Sequence, residues 1–568
     1  MIKINTVFIV ASILLGSFTN AQQPPAANFI FPMEITPSVS GSFAELRSNH
    51  FHSGIDLSTQ GKIGVPVKSM DSGKVSRIKV SPVGYGNAVY INHPNGYTTV
   101  YGHLNSYAPK IDSVITAQQY KKQSFAIDYF PVEDIPVARG EIIGFSGNTG
   151  SSSGPHLHYE IRDTKTEEPL NPFFFQEIIR DDVRPKLLKI RLYPLGERSA
   201  INGVNKAKNY DIVFYDGAYH LKGKPKIYAS GHIGVGIEML DYMTGSWKKC
   251  GVYKLNMKVN GEDYYSWKLD RFSFYESRYI NSHIDYAYKQ NNGKRFERCF
   301  RQPGNRLSIY GSNKNDGVFF MDSSKTIHIE VADAAKNISN LKFELSQGKE
   351  LSIEHNLNTT KLSYLHEHLL QNEHMQCFIP KGALYDDTDI SIEAQNDTDK
   401  GMIYQVGRKD IPLHKSIHIS VALPQHLEKW KDKVALASIN KSGKKQYAGG
   451  YVKNDSIKLK TRDFGKYIVA IDTIAPSIRA HQNIRGRVFR TNSKFVFTLH
   501  DDFSGIASYN GYLNDKWTLF EYDAKNRKLS CPLAKAPIEK GGKYRFKLVV
   551  KDNCGNEKIL ESHFTVGG

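Results

Sequence analysis

Cysteine is scarce in this chain: five in 568 residues, at Cys250, Cys299, Cys377, Cys531 and Cys554. A small, odd count excludes a disulfide scaffold and leaves at least one thiol unpaired within the chain. Cys250 with Cys299 and Cys531 with Cys554 are possible pairs that the sequence does not assign. None has CxxC spacing, so metal chemistry has to come from other side chains. A His-Glu-x-x-His motif is also missing, which excludes a glutamate base of that kind. After the N-terminus no apolar run reaches the ~20 residues of a membrane-spanning helix. Low-complexity tracts are missing too, and 40% hydrophobic with 23% charged residues is ordinary globular usage, against disorder or a collagen-like chain. Acidic residues are in deficit, leaving a net charge of +18. That excess favours polyanions such as cell-wall polymers or lipid head groups. No nucleic-acid recognition motif accompanies it, so a nucleic-acid partner is not expected.

What is present begins with Lys3, an apolar run over residues 7–15, and the small residues Thr19 and Ala21. This layout predicts a secretory signal peptide over 1–21, and hence an exported protein of the periplasm, cell envelope or extracellular space. Cleavage there removes one charged residue, Lys3, and leaves no transmembrane segment. Aromatic residues at 11% favour β structure. Short alternating runs broken by glycine mark a β domain over 29–178, with a hairpin turn at Pro94-Asn95-Gly96. Residues 105–138 are long and mixed, with a patch at 120–123 that could be helical. They read as an insertion, with a lean towards a role in a substrate groove. The rear is β-rich: a sandwich-like domain over 181–346, a β-rich domain over 347–472, and an immunoglobulin-like domain over 476–568. A strand closing in Asp-x-x-x-Asn occurs twice, at Asp333/Asn337 and Asp552/Asn556, which suggests two sandwiches of related build.

Chemistry-bearing residues concentrate in the first domain. His52 and Asp56 are ligand types that zinc accepts, although such a pair alone is usually an ordinary loop feature. A glycine- and serine-rich loop over 147–154 delivers a strand starting at His156. Residues two apart on a strand share a face, so His156 and His158 project together and Leu157 faces away. His103 follows Tyr101-Gly102 at the end of the hairpin's return strand. His50 lies two residues before His52 and reads as a solvent-facing or supporting residue.

These elements occur in order within one glycine-rich β domain, and together they resemble the lysostaphin/LytM-type zinc metallopeptidases, peptidase family M23. The resemblance covers about a quarter of the chain. It rests on His52-x-x-x-Asp56, Tyr101-Gly102-His103 and His156-x-His158, with the supporting phrases 71–75, 84–87 and 144–150. It implies Zn2+ as cofactor, with His52, Asp56 and His158 as ligands and an open fourth position. It implies that His103 and His156 are unliganded catalytic histidines. One would take a proton from the attacking water and both could stabilise the oxyanion. Peptidoglycan peptides are the implied substrate, and the basic charge suits an anionic envelope. Two alternatives stand beside this: a zinc protease of extracellular proteins, and a catalytically idle wall-binding scaffold.

The rear carries no metal motif at this level. His232, Glu238 and Asp241 surround Gly231-His232-Ile233-Gly234-Val235-Gly236, which reads as a glycine-rich β turn without the context of a nucleotide fingerprint. Residues 278–286 read as a polar network between β domains.

Overall fold

The computed structural model describes residues 27–175, 179–352 and 361–567, so the leader expected over 1–21 lies outside the described residues. The described chain is mainly β. The first body is built on a nine-stranded sheet. Ile55–Ser58 lies beside His156–Asp163, which lies beside Tyr97–Leu104, then Asn87–Asn92 and Gly73–Val80. Tyr97–Leu104 is buried at every residue. Its β-branched and aromatic side chains therefore pack on both faces, which makes it a central strand. His156–Asp163 instead alternates. Leu157, Tyr159 and Ile161 are fully buried on the apolar side. Each buried aliphatic there contributes about 1.5–3 kcal/mol, which fixes the register that turns the histidines the other way.

Residues 105–138 hold a helix, Pro109–Lys122, longer than the patch expected at 120–123. Proline begins it, Ile111, Ile115 and Gln119 form its buried stripe, and left-handed Gln123 ends it. The following strand Ile127–Tyr129 pairs with the outer edge of Gly73–Val80. This strand extends the sheet at the edge remote from Ile55–Ser58, while residues 106–107 pair beside Ile142–Phe145.

The second body carries a twelve-stranded sheet around two long strands, Lys186–Ile201 and Tyr228–Tyr242. Residues 231–236 run inside the latter strand and form no turn. Their glycines answer to packing: a Cβ on Gly234 would meet Phe300 at 2.7 Å, and one on Gly236 would meet Tyr193 at 3.0 Å. The cores of the first and second bodies are continuous. Phe272 packs on both Phe43 and Phe51 with ring centroids 5.4 Å apart. Residues 280–283 form a buried helical turn against the first body, where Asn281 donates to Asn49 at 2.9 Å.

A third body over 361–472 has two five-stranded sheets and its own core. The last body has sheets of four and five strands around a phenylalanine core, with Phe497 stacked on Phe546. This last body returns to the first. Tyr120 donates to the Lys535 carbonyl at 2.7 Å, and Lys535 pairs with Asp112 at 3.0 Å. Lys525 reaches the Ser152 carbonyl at 2.7 Å and the Asn148 side chain at 3.0 Å. All five cysteines are free and buried, so neither possible pair forms. Desolvation pushes each thiol's pKa up, for Cys250 to about 12, which keeps them protonated.

Candidate metal centre

Strand register assembles the site. His158 lies opposite Asp56 on one neighbour and opposite Gly102 on the other. His52 arrives on the loop before Ile55–Ser58. Its backbone is tied to Ala44 and Glu45, and its ring Nδ1 lies 2.7 Å from the Ser42 carbonyl. His103 comes from a bulge: Gly102 and His103 together oppose Ala88. The bulge sets its φ at +60°, an unusual value for a non-glycine residue and one that re-aims the ring. His103 Nδ1 is then held by the Thr149 carbonyl at 2.9 Å. His156 Nδ1 is held by the Gly154 carbonyl at 2.8 Å.

Three atoms form an equal triangle. His52 Nε2, His158 Nδ1 and Asp56 Oδ1 are each 3.0 Å from the other two. Tautomers assigned from the hydrogen-bond partners define what meets there. His52 Nδ1–H donates to Ser42, which leaves a lone pair on Nε2. His158 Nε2–H donates to Glu160 Oε1 at 2.7 Å, which leaves a lone pair on Nδ1. Two lone pairs and a carboxylate oxygen thus face one point, and they need a cation. Tetrahedral zinc with bonds of about 2.0–2.1 Å sets its ligands about 3.3 Å apart, so the donor set and spacing fit that ion. Without one, a proton serves. Burial pulls the His158 pKa down, but Asp56 and Glu160 outweigh burial and push it up to about 9. Burial also opposes ionisation of Asp56, yet the surrounding histidines hold its pKa well below the usual carboxylate range.

The remaining two histidines stand beside the triangle. The His103 and His156 rings are 4.8 Å apart, and His156 Nε2 lies 3.3 Å from Asp56 Oδ1. Burial, then His158 and His156, drives the His103 pKa down to about 3. Its imidazole is neutral, with a lone pair on Nε2. His50 stays exposed and bonds Ser48, outside the group.

The surrounding shell was not anticipated from sequence. Glu160 is fully buried and accepts from His158, from Tyr85 at 2.6 Å, from Ser53 and from Arg162. Arg162 in turn lies under Phe274 of the second body at 4.6 Å. Arg47 donates to Asp56 Oδ2 at 3.0 Å and fixes the far side of that carboxylate. The signal for Glu160 was available. It continues the two-residue alternation of His156 and His158 on the same face of the strand.

Comparison with known proteins matches this region. The model of "Peptidase family M23" matches residues 50–120 and 131–172, and a "Zu5-like domain" model matches 359–472. The DD-carboxypeptidase/endopeptidase Mpg of Neisseria meningitidis is 35% identical over 127 residues, 22% of this chain and 23% of that protein. The peptidoglycan DD-endopeptidase ShyA of Vibrio cholerae is 37% identical over 110 residues, 19% of this chain and 20% of that protein. Lysostaphin of Staphylococcus simulans is 32% identical over 110 residues, 19% of this chain and 17% of that protein. The chain thus spans about a quarter or less of the curated relatives it matches. The solved catalytic domain of lysostaphin is 25% identical, over 24% of this chain and 91% of that one, with a TM-score of 0.19. With its motif histidines and Asp56 gathered at one end of this sheet, the first body of the chain matches peptidase family M23 over residues 50–120 and 131–172.

Proposed function

We propose that this chain is an exported, zinc-dependent metalloendopeptidase that hydrolyses peptide cross-links of peptidoglycan. The observation that carries the reading is the triangle of unshared donors on His52, Asp56 and His158 beside a neutral His103. The relatives' names as peptidoglycan endopeptidases support the substrate class, and the net charge of +18 supports approach to an anionic envelope. The expected leader supports export to the periplasm, envelope or extracellular space.

His52, Asp56 and His158 would hold the ion, three protein ligands leaving one position for water or substrate. Zinc bound there supplies Lewis acidity, polarising the scissile carbonyl and making water more acidic. His103 Nε2 accepts the proton of the attacking water, a step its neutral state allows. His103 then gives that proton to the leaving amine, while His156, in its protonated form, donates a hydrogen bond from Nε2 to the developing oxyanion and keeps its proton. Thr149 and Gly154 keep both Nδ1 positions occupied, so Nε2 of each ring faces the reaction. Glu160 and Ser42 orient the two ligating imidazoles, and Arg47 orients the carboxylate.

The test is digestion of purified peptidoglycan and of an unstructured protein by the mature zinc-loaded chain, with product masses. New amines whose masses match opened cross-links support the proposal. Cleavage of the protein alone would favour an extracellular protease. Wall binding without new amines would favour a scaffold.

A further inference from the structure

A second group of acidic side chains lies about the seam between the first two bodies. Asp181, Asp241 and Asp333 are all buried and offer oxygens that lie within 4.8 Å of one another. They come from the segment entering the second body, from the strand Tyr228–Tyr242, and from the turn after Lys325–Ala332. Three like charges in one buried place repel, and they persist only if protonated or bound to a cation. Among the described residues none of the three is in an ion pair.

The hydrogen bonds show which oxygens remain. Asp181 Oδ1 accepts from Val183, from the Thr244 amide and from the Thr244 hydroxyl. Asp333 is held on both oxygens by Asn337, at 2.8 Å each, and Asn337 also donates to the Asp181 carbonyl. Asp181 Oδ2 and Asp241 Oδ1 have no hydrogen-bond partner among the described residues. Asp181 is 8% exposed and Asp241 2%, so water does not readily solvate them. Both residues line a cavity of about 60 Å³ together with Asp333 and Tyr253, and with Ser42 and Asn171 of the first body.

The last body provides an internal comparison. Asp472, Asp501 and Asp552 form a similar group, and Asn556 holds Asp552 as Asn337 holds Asp333. There Asp472 accepts amides on both oxygens, Asp501 Oδ2 accepts from Phe503 and Gly505, and none of the carboxylate oxygens is both buried and without a partner. Buried carboxylate oxygens without a partner thus occur in the group of the second body and not in that of the last.

We infer that Asp181, Asp241 and Asp333 form a calcium site at the seam of the first two bodies. All-oxygen donors select a hard cation. Three carboxylates around one point suit Ca2+, which takes about six to eight protein and water oxygens in a flexible shell, better than Mg2+, which keeps most of its waters and takes one or two carboxylates. The cavity leaves room for the waters that complete its shell. Ser42 gives the site a consequence. Its hydroxyl accepts from the Gly251 amide at 2.8 Å, and its carbonyl accepts from His52 at 2.7 Å. A cation here fastens the second body to the loop that presents His52.

The experiment uses the mature chain, stripped over a chelating resin and restored with zinc alone. Ca2+ raises the melting temperature by a few degrees, and Tb3+, excited through Tyr253, shows sensitised emission that Ca2+ displaces. Asp241→Asn abolishes both responses while melting no lower than wild type in calcium-free buffer, since the amide is neutral there without having to take up a proton. Asp181→Asn is the second variant if the first does not fold. Asp501→Asn, in the last body, keeps both responses. An undiminished Ca2+ response in folded Asp241→Asn or Asp181→Asn would overturn the site. An equal response to Mg2+ would overturn its assignment to calcium.

Discussion

His158 Nε2 donates to Glu160 Oε1 at 2.7 Å, and that bond decides which nitrogen of His158 faces Asp56. Glu160→Gln keeps the shape but can offer its amide N–H instead of an acceptor, which permits the wrong tautomer. Zinc affinity should fall about 10–100-fold, read by competition with a chelating dye. Glu160→Ala should do more, because buried Arg162 loses its short pair and keeps only the more exposed Glu167 at 3.3 Å, at a cost of up to about 3 kcal/mol in stability.

Gly54 sits between His52 and Asp56, where a Cβ would lie 2.2 Å from the Tyr159 carbonyl oxygen. Backbone has to move to admit it. Gly54→Ala should push Ile55–Ser58 off His156–Asp163 and separate Asp56 from His158. The expected outcome is loss of stoichiometric zinc with a melting temperature well below wild type.

Lys525 ties the last body to residues 147–154, the loop that delivers His156. Lys525→Ala should speed amide exchange in that loop several-fold while the sheet core keeps its protection. The Asp112–Lys535 pair is about one-third exposed, so Lys535→Ala should change stability by less than about 1 kcal/mol.

Burial, with Asp333 and Asp181 adding repulsion, pushes the Asp241 pKa up to about 8. An unfolded aspartate titrates near about 3.9. The protonated form is thus favoured in the folded state. Its contribution is complete below about pH 4 and is lost as pH rises through 8. Other titratable groups nearby are Glu45 and Cys250, and the thiol stays neutral. The calcium-free protein should melt lower at pH 8.5 than at pH 5.5, and Ca2+ should narrow that gap.

The grouping of His52, Asp56 and His158 was legible only through the family resemblance, since His52-x-x-x-Asp56 alone reads as a loop feature. The shared face of His156 and His158 was legible locally, from strand alternation. Glu160 obeyed the same alternation, but only its buried partners Arg162, Tyr85 and Ser53 give it a role. The helix over residues 109–122 was visible only at its end, in the patch at 120–123. Its docking on Lys535 and Trp517 is contact over some 400 positions, which no local pattern encodes. Gly234 and Gly236 misled because glycine signals turns, whereas here it admits the rings of Phe300 and Tyr193. Asp241 was passed over beside them, since its partners Asp181 and Asp333 lie far away in sequence.

In the proposed function His103 acts on water beside an ion it does not hold. Amine release from peptidoglycan and zinc content, measured on the same samples of wild type and His103→Asn, test it most directly. Asparagine tolerates the positive φ at this position and supplies no base. About one zinc per chain is expected in both, with release by His103→Asn down by about 10²–10⁴-fold. Wild-type release by His103→Asn, or loss of its zinc with the fold intact, would contradict it.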